Sequence, residues 1–186
     1  MKTSFITLLL LLSFLVVTSQ NDSEKLPFFE IEEYPEMYNS NLIMARMIDG
    51  LGFRYYWATE GLRDIDLAYK ASDSGRTAGE TINHLYGLSR FIRNSVLENN
   101  KDVNKEELSF QEKRKRTLMN LKIVSDTFKN AEETFKFEDT SVPFWNIING
   151  PISDALWHCG QVVMLRRASG NPFNSKVSVF SGKVKK

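Results

Sequence analysis

Four stretches of this 186-residue chain repeat apolar residues at the period of an α-helix. Leu42, Ala45, Ile48, Gly52, Tyr56 and Trp57 mark the first, over residues 41–60. Ile82, Leu85, Leu88, Ser89, Ile92 and Val96 mark the second, which ends near residue 98. Leu118, Leu121, Val124, Phe128 and Ala131 mark the third, over residues 105–135, and the fourth runs from Pro151 to about residue 168. A helix of about 20 residues is about 30 Å long and cannot bury an apolar stripe by itself. Four such stripes predict an all-α fold, a four-helix bundle. Strand patterning is nearly absent: Val177, Val179 and Phe180 alternate weakly near the C-terminus.

The breaks between the stripes carry helix-boundary chemistry. Asn39 or Ser40 can cap the first helix, and Gly61 can stop it. Thr77 with Glu80 three residues on forms a capping box for the second. Pro151 suits the first turn of the fourth, and Ser169-Gly170-Asn171-Pro172 ends it. Residues 61–76 read as a packed crossover loop. The organisation expected is a signal peptide at 1–20, an extended acidic lead-in at 21–38, the helices within 39–172, and a tail at 173–186 whose lysines Lys183, Lys185 and Lys186 are frayed.

Residues 1–20 begin with Lys2, continue through the almost unbroken apolar run at 5–17, and end in small and polar residues. That is the pattern of a secretory signal peptide, and it predicts export to a periplasmic or extracellular location. The alternative is an N-terminal membrane anchor. Against it, 13 helical residues reach only about 20 Å, short of a hydrocarbon core of about 30 Å, so no stable membrane insertion is expected. The chain carries 24 basic and 23 acidic residues, a net charge of +1 that provides no field for nucleic acid. The basic run at 113–116, flanked by Glu106, Glu107 and Glu112, reads as a solvated helix face. A single cysteine excludes a disulfide framework, and two histidines exclude a three-histidine metal site. Cys159 sits in an apolar helical pattern and reads as a buried small residue.

The candidate chemistry lies on the second and fourth helices. Asp154 and His158 are four residues apart, so their side chains leave one helix face one turn apart, with Gln161 continuing that face. His84 lies on the second helix, which can meet the fourth in a bundle. One carboxylate and two imidazoles suit a borderline divalent ion such as zinc, nickel or iron. The same three residues can also form a polar cluster or a salt bridge. Asp49, Tyr56, Glu60 and Gln161 are candidates for the surrounding pocket.

Two segments resemble the DinB-like superfamily, the DinB/YfiT-like metalloenzymes. One is residues 51–62, from Leu51-Gly52-Phe53 through Tyr55-Tyr56-Trp57 to Glu60-Gly61-Leu62. The other is residues 150–161, Gly150-Pro151-Ile152-Ser153-Asp154 through Trp157-His158-Cys159 to Gln161, continuing into Leu165-Arg166-Arg167 and Gly170-Asn171-Pro172. Residues 77–88, which contain His84, resemble the family's second helix. The resemblance implies an up-down-down-up four-helix bundle that is often a homodimer; the first helix, with Phe53, Tyr56 and Trp57, is expected to bury an aromatic face, part of which can serve a dimer interface. It also implies a metal site with one histidine from the second helix and two from the last. His84 and His158 match the first and last of these, and Asp154 stands where the middle histidine usually is.

Two classes of function follow. One is an exported divalent-metal-binding protein acting as a metal-dependent hydrolase or thiol-directed transferase on a small-molecule substrate. The other is a non-catalytic helical bundle that binds a small molecule or a protein partner. A dry, closed polar cluster favours the second.

Overall fold

The computed structural model of the protein describes residues 25–33, 35–97, 107–131 and 135–186. The signal-peptide segment, residues 1–20, lies outside the described residues, as do the expected start of the third helix at 105 and the end of the second at 98.

The long helices begin where side chains satisfy their first free N–H groups. Helix α1, Ser40–Thr59, is capped by Asn39, whose Oδ1 accepts from the Leu42 N–H at 2.9 Å. Helix α2, Ala78–Val96, starts at the Thr77 capping box: Thr77 Oγ1 accepts from the Glu80 N–H at 3.1 Å, and Glu80 Oε2 accepts from the Thr77 N–H at 2.7 Å. Helix α3, Phe110–Lys129, is capped by Ser109, whose Oγ accepts from the Glu112 N–H at 3.2 Å. It is shorter at both ends than its stripe predicts. Gly61, with φ of +67°, ends the α1 turn in the left-handed region that favours glycine.

The last long helix, α4, Ser153–Ala168, differs from expectation at its start. A helical run begins earlier, at Phe144–Ile147, and passes through a π turn at Ile148–Ile152 that contains Pro151. Proline has no N–H and its ring crowds the carbonyl four residues back, so an α-helical ladder cannot continue through it unchanged. The wider turn accommodates it. The Ser153 N–H reaches back five residues to Ile148 O, and Ser153 Oγ donates to the same carbonyl at 2.7 Å.

Helix α1 packs on α3 and α4, and α2 packs on the same two. Asp49 meets Ser125 and Thr59 meets Arg114, so α1 and α3 run in opposite directions. Ala58 meets Arg166, while Arg54 and Cys159 line one cavity, so α1 and α4 run the same way. His84 meets Asp154, while Thr81 lies with Leu165, so α2 opposes α4. The core between them holds Ile48, Leu51, Phe53, Ile82, Ile92, Leu118, Val124, Phe128 and Val162, all essentially inaccessible. Burying each such side chain is worth about 1.5–3 kcal/mol, so this apolar centre fixes how the helices meet.

Outside the helices, the two ends of the described chain meet. Lead-in residue Phe28 lies over α1 at Gly52, where a Cβ would come within 2.5 Å of the ring. Trp57 Nε1 donates to Phe29 O at 3.1 Å. The tail is ordered around a two-residue hairpin, β1 Val177–Ser178 with β2 Lys183–Val184. Its Gly182 O accepts from the Ile31 N–H at 2.8 Å, and Lys183 pairs with Glu30 and Glu33, so this lysine is held rather than frayed. Under that cover Phe53, Tyr56 and Trp57 form the buried aromatic face expected of the first helix. A short helix, Asp64–Ala68, occupies the segment expected to be a loop.

Arg114 corrects the reading of the basic run as solvated. Its guanidinium is buried, donates to Thr59 Oγ1 at 3.1 Å, pairs with Glu60, and stacks over the Tyr56 ring. No helix among the described residues is long and apolar enough to cross a membrane.

Candidate metal centre

The π turn sets where α4 begins. Each helical residue turns the chain by about 100°, so one extra residue in a turn redirects every later side chain by about that angle. Immediately after it, Ala155, Cys159, Val162 and Arg166 face the core. Asp154 and His158 fall beside that line, turned toward α2. On α2, Leu85 and Ile82 face the core, and His84 sits at the edge of that face.

The three side chains converge. Asp154 Oδ2 lies 3.1 Å from His84 Nε2, and Asp154 Oδ1 lies 3.3 Å from His158 Nε2. The two imidazoles meet edge to face, with centroids 4.7 Å apart. One potential ligand atom from each residue lies within 4.8 Å of the others. The group can hold a metal ion. Side-chain exposure is 36% for His84, 41% for Asp154 and 13% for His158, so the cluster opens to solvent on the Asp154 side.

Gln161 orients the most buried ring. Its Oε1, which can only accept, lies 2.7 Å from His158 Nδ1, so Nδ1 carries the proton. In the neutral ring, Nε2 then presents a lone pair to the Asp154 carboxylate. Two acceptors 3.3 Å apart repel unless a proton or a cation lies between them. A single carboxylate balances one imidazolium; protonating both rings would set like charges 4.7 Å apart. One divalent cation satisfies both rings and the carboxylate together. The donor set, two nitrogens and one oxygen, fits zinc-type ions, and a second nitrogen anchored by a side chain is the usual support for a ligating histidine.

Of the residues expected around this site, Gln161 is there. Asp49 is not: its buried carboxylate accepts from Ser125 Oγ at 2.5 Å and pairs with Lys129 at 2.9 Å, which ties α1 to α3. Tyr56 and Glu60 belong to the Arg114 cluster. Cys159 is buried, and burial pushes its thiol up to about 12, so it offers no thiolate near neutral pH.

A cavity of about 370 Å³ meets the trio at His158, and is lined by Gly75, Arg76, Thr81, His158, Gln161, Met164 and Leu165. Arg76 was not singled out from sequence, although its place just before the Thr77 cap puts it at the same end of α2 as Thr81. A larger cavity lies elsewhere. It measures about 670 Å³, sits between Ile43 and Met44 of α1 and Phe144, Trp145 and Ile148, and has one charged lining residue, Glu138. Size marks that cavity, but the convergence of titratable groups marks the trio, and chemistry follows the groups. Family models, curated proteins and solved structures yield no match to this chain.

Proposed function

We propose that the protein is an exported, divalent-metal-binding four-helix bundle of the DinB-like type. The observation that carries the metal reading is the carboxylate of Asp154 placed between the Nε2 atoms of His84 and His158. The helix directions support the fold: α1 and α4 run one way and α2 and α3 the other, as an up-down-down-up bundle requires. The apolar run at 5–17 supports export. A divalent cation held here supplies Lewis acidity, which polarises a bound group and favours its deprotonation near neutral pH. The half-exposed carboxylate and the adjoining cavity give a small molecule access to that cation, which suits a hydrolase or a thiol-directed transferase. His84, Asp154 and His158 are the ligands, and Gln161 holds the His158 ring.

The test is metal content. Protein purified from its native host without chelator or nickel resin is expected to carry about one divalent ion per chain. A chain that stays metal-free after dialysis against zinc refutes the reading. N-terminal sequencing of the same sample tests export: the mature chain should begin near Asn21, and soluble protein starting at Met1 would contradict it.

The second reading, a non-catalytic binding protein, is favoured by the 670 Å³ apolar cavity remote from the trio. Binding of an apolar probe there, unaffected by loss of the trio, would support it.

A further inference from the structure

We infer that the cavity beside the trio takes a small organic acid, with one carboxylate at the metal and a second anionic group on Arg76. The inference rests on the metal reading above and names the ligand class of that site. The charges lead to it. Asp154 is the one anionic member of the trio, so a divalent cation there leaves a net charge of +1 with both imidazoles neutral. Arg76 adds a second positive charge in the cavity that the trio borders through His158, and no acidic side chain lines that cavity. The side chain of Arg76 is exposed, so its guanidinium is accessible to a ligand. Glu80, its acidic neighbour in sequence, is hydrogen-bonded to the Thr77 N–H at 2.7 Å and feels the Arg76 charge, but it does not line the cavity.

The remaining walls fit the same ligand. Gln161 uses its oxygen on His158, which leaves the amide N–H groups able to donate to a ligand oxygen. Met164 and Leu165 provide an apolar wall for a short carbon chain. A guanidinium is the side chain best matched to a planar anion, because its N–H groups bind two oxygens together. Two cationic points joined by an apolar wall select a molecule with two acidic ends over one with a single acidic end.

The test uses zinc-loaded full-length protein titrated calorimetrically with acetate, succinate and glutarate. Succinate or glutarate is expected to bind at least about tenfold more tightly than acetate, the gain of one charge-assisted contact. Arg76→Gln should reduce both diacids to the acetate level while zinc loading is retained. Equal affinity for all three acids in the wild type overturns the inference, as does a diacid preference that survives Arg76→Gln. A wild-type chain that fails to load zinc overturns the metal reading and this inference with it. Zinc loading without diacid preference overturns this inference alone.

Discussion

Asp66 and Asp154 are both carboxylates at helix junctions, and their surroundings are opposite. Asp66 is fully buried, at 0% exposure, and accepts five hydrogen bonds: from the backbone N–H, Nε and Nη2 of Arg63, from Ser169 Oγ and from Asn171 Nδ2. Asp154 is 41% exposed and meets two imidazole nitrogens at 3.1 and 3.3 Å. The first carboxylate has every lone pair engaged and a cation beside it. The second has room for another ligand beside its two imidazole neighbours. A carboxylate that is saturated holds the fold together; one that is left open can hold something else. Arg166 completes the first arrangement, donating to the Trp57, Ala58 and Asn171 carbonyls and fastening the end of α4 to the end of α1.

The strongest way to break this contrast is to remove Asp66. Asp66→Ala removes all five of these hydrogen bonds from a fully buried site at once, and should cost about 3 kcal/mol or more in a urea titration. A loss under about 1 kcal/mol would place Asp66 in the same class as a surface group.

Next is Gln161. Gln161→Ala leaves all three ligands but frees the His158 ring, and zinc affinity should fall about tenfold to a hundredfold by calorimetry, with stability little changed. An unchanged affinity would remove its orienting role.

Acid stability sharpens the contrast from the other side. The Arg63 guanidinium, then Ser169 and Asn171, hold the Asp66 carboxyl well below the usual carboxylate range. In the unfolded chain it titrates near about 4. Below that pH the unfolded state takes up a proton that the native state does not, so stability falls as the pH drops toward the native value. It is fully present above about pH 4. Asp66→Asn should flatten this dependence in denaturation midpoints measured between pH 5 and pH 2 (a range set by about 4 in the unfolded chain). A slope equal to that of the wild type would contradict the assignment.

The smallest effect is expected at Asp154 in metal-free protein. Its contacts are half-exposed, so Asp154→Ala should change the apo unfolding free energy by less than about 1 kcal/mol. A loss as large as that of Asp66→Ala would make the trio a structural ion cluster.

Local signals carried much of this from sequence, and distant partners explain the remainder. The Thr77 capping box, the Asn39 cap and the buried stripe of α2 are decided by residues within one or two turns of each other. The pairing of Asp154 with His158 is equally local, and His84 joins them because α2 and α4 pack together. The burial of Arg114 depends on Thr59, 55 residues away, and nothing near 114 announces it. Asp66 draws on Ser169 and Asn171, 103 and 105 residues away. The turn around Pro151 misled for a different reason. A proline at a helix start and one absorbed in a π turn have the same local sequence, and only the helical run from Phe144 distinguishes them. Ordering of the tail likewise depends on Ile31 and Glu30 at the other end of the chain.

The open character of the trio is tested most directly by calorimetric titration of zinc into chelator-treated wild type, His158→Ala, Asp154→Asn and Asp154→His. The wild type should bind about one equivalent. His158→Ala should lose more than about a hundredfold in affinity, since a first ligand matters at least as much as the group that orients it. Asp154→Asn, which keeps the shape and loses the charge, should bind more weakly than the wild type. Asp154→His should bind zinc or nickel in preference to magnesium more strongly than the wild type does, because imidazole is the softer ligand. Equal zinc affinity in all four proteins would contradict the account and leave His84, Asp154 and His158 as a salt-bridged cluster with no ion to hold.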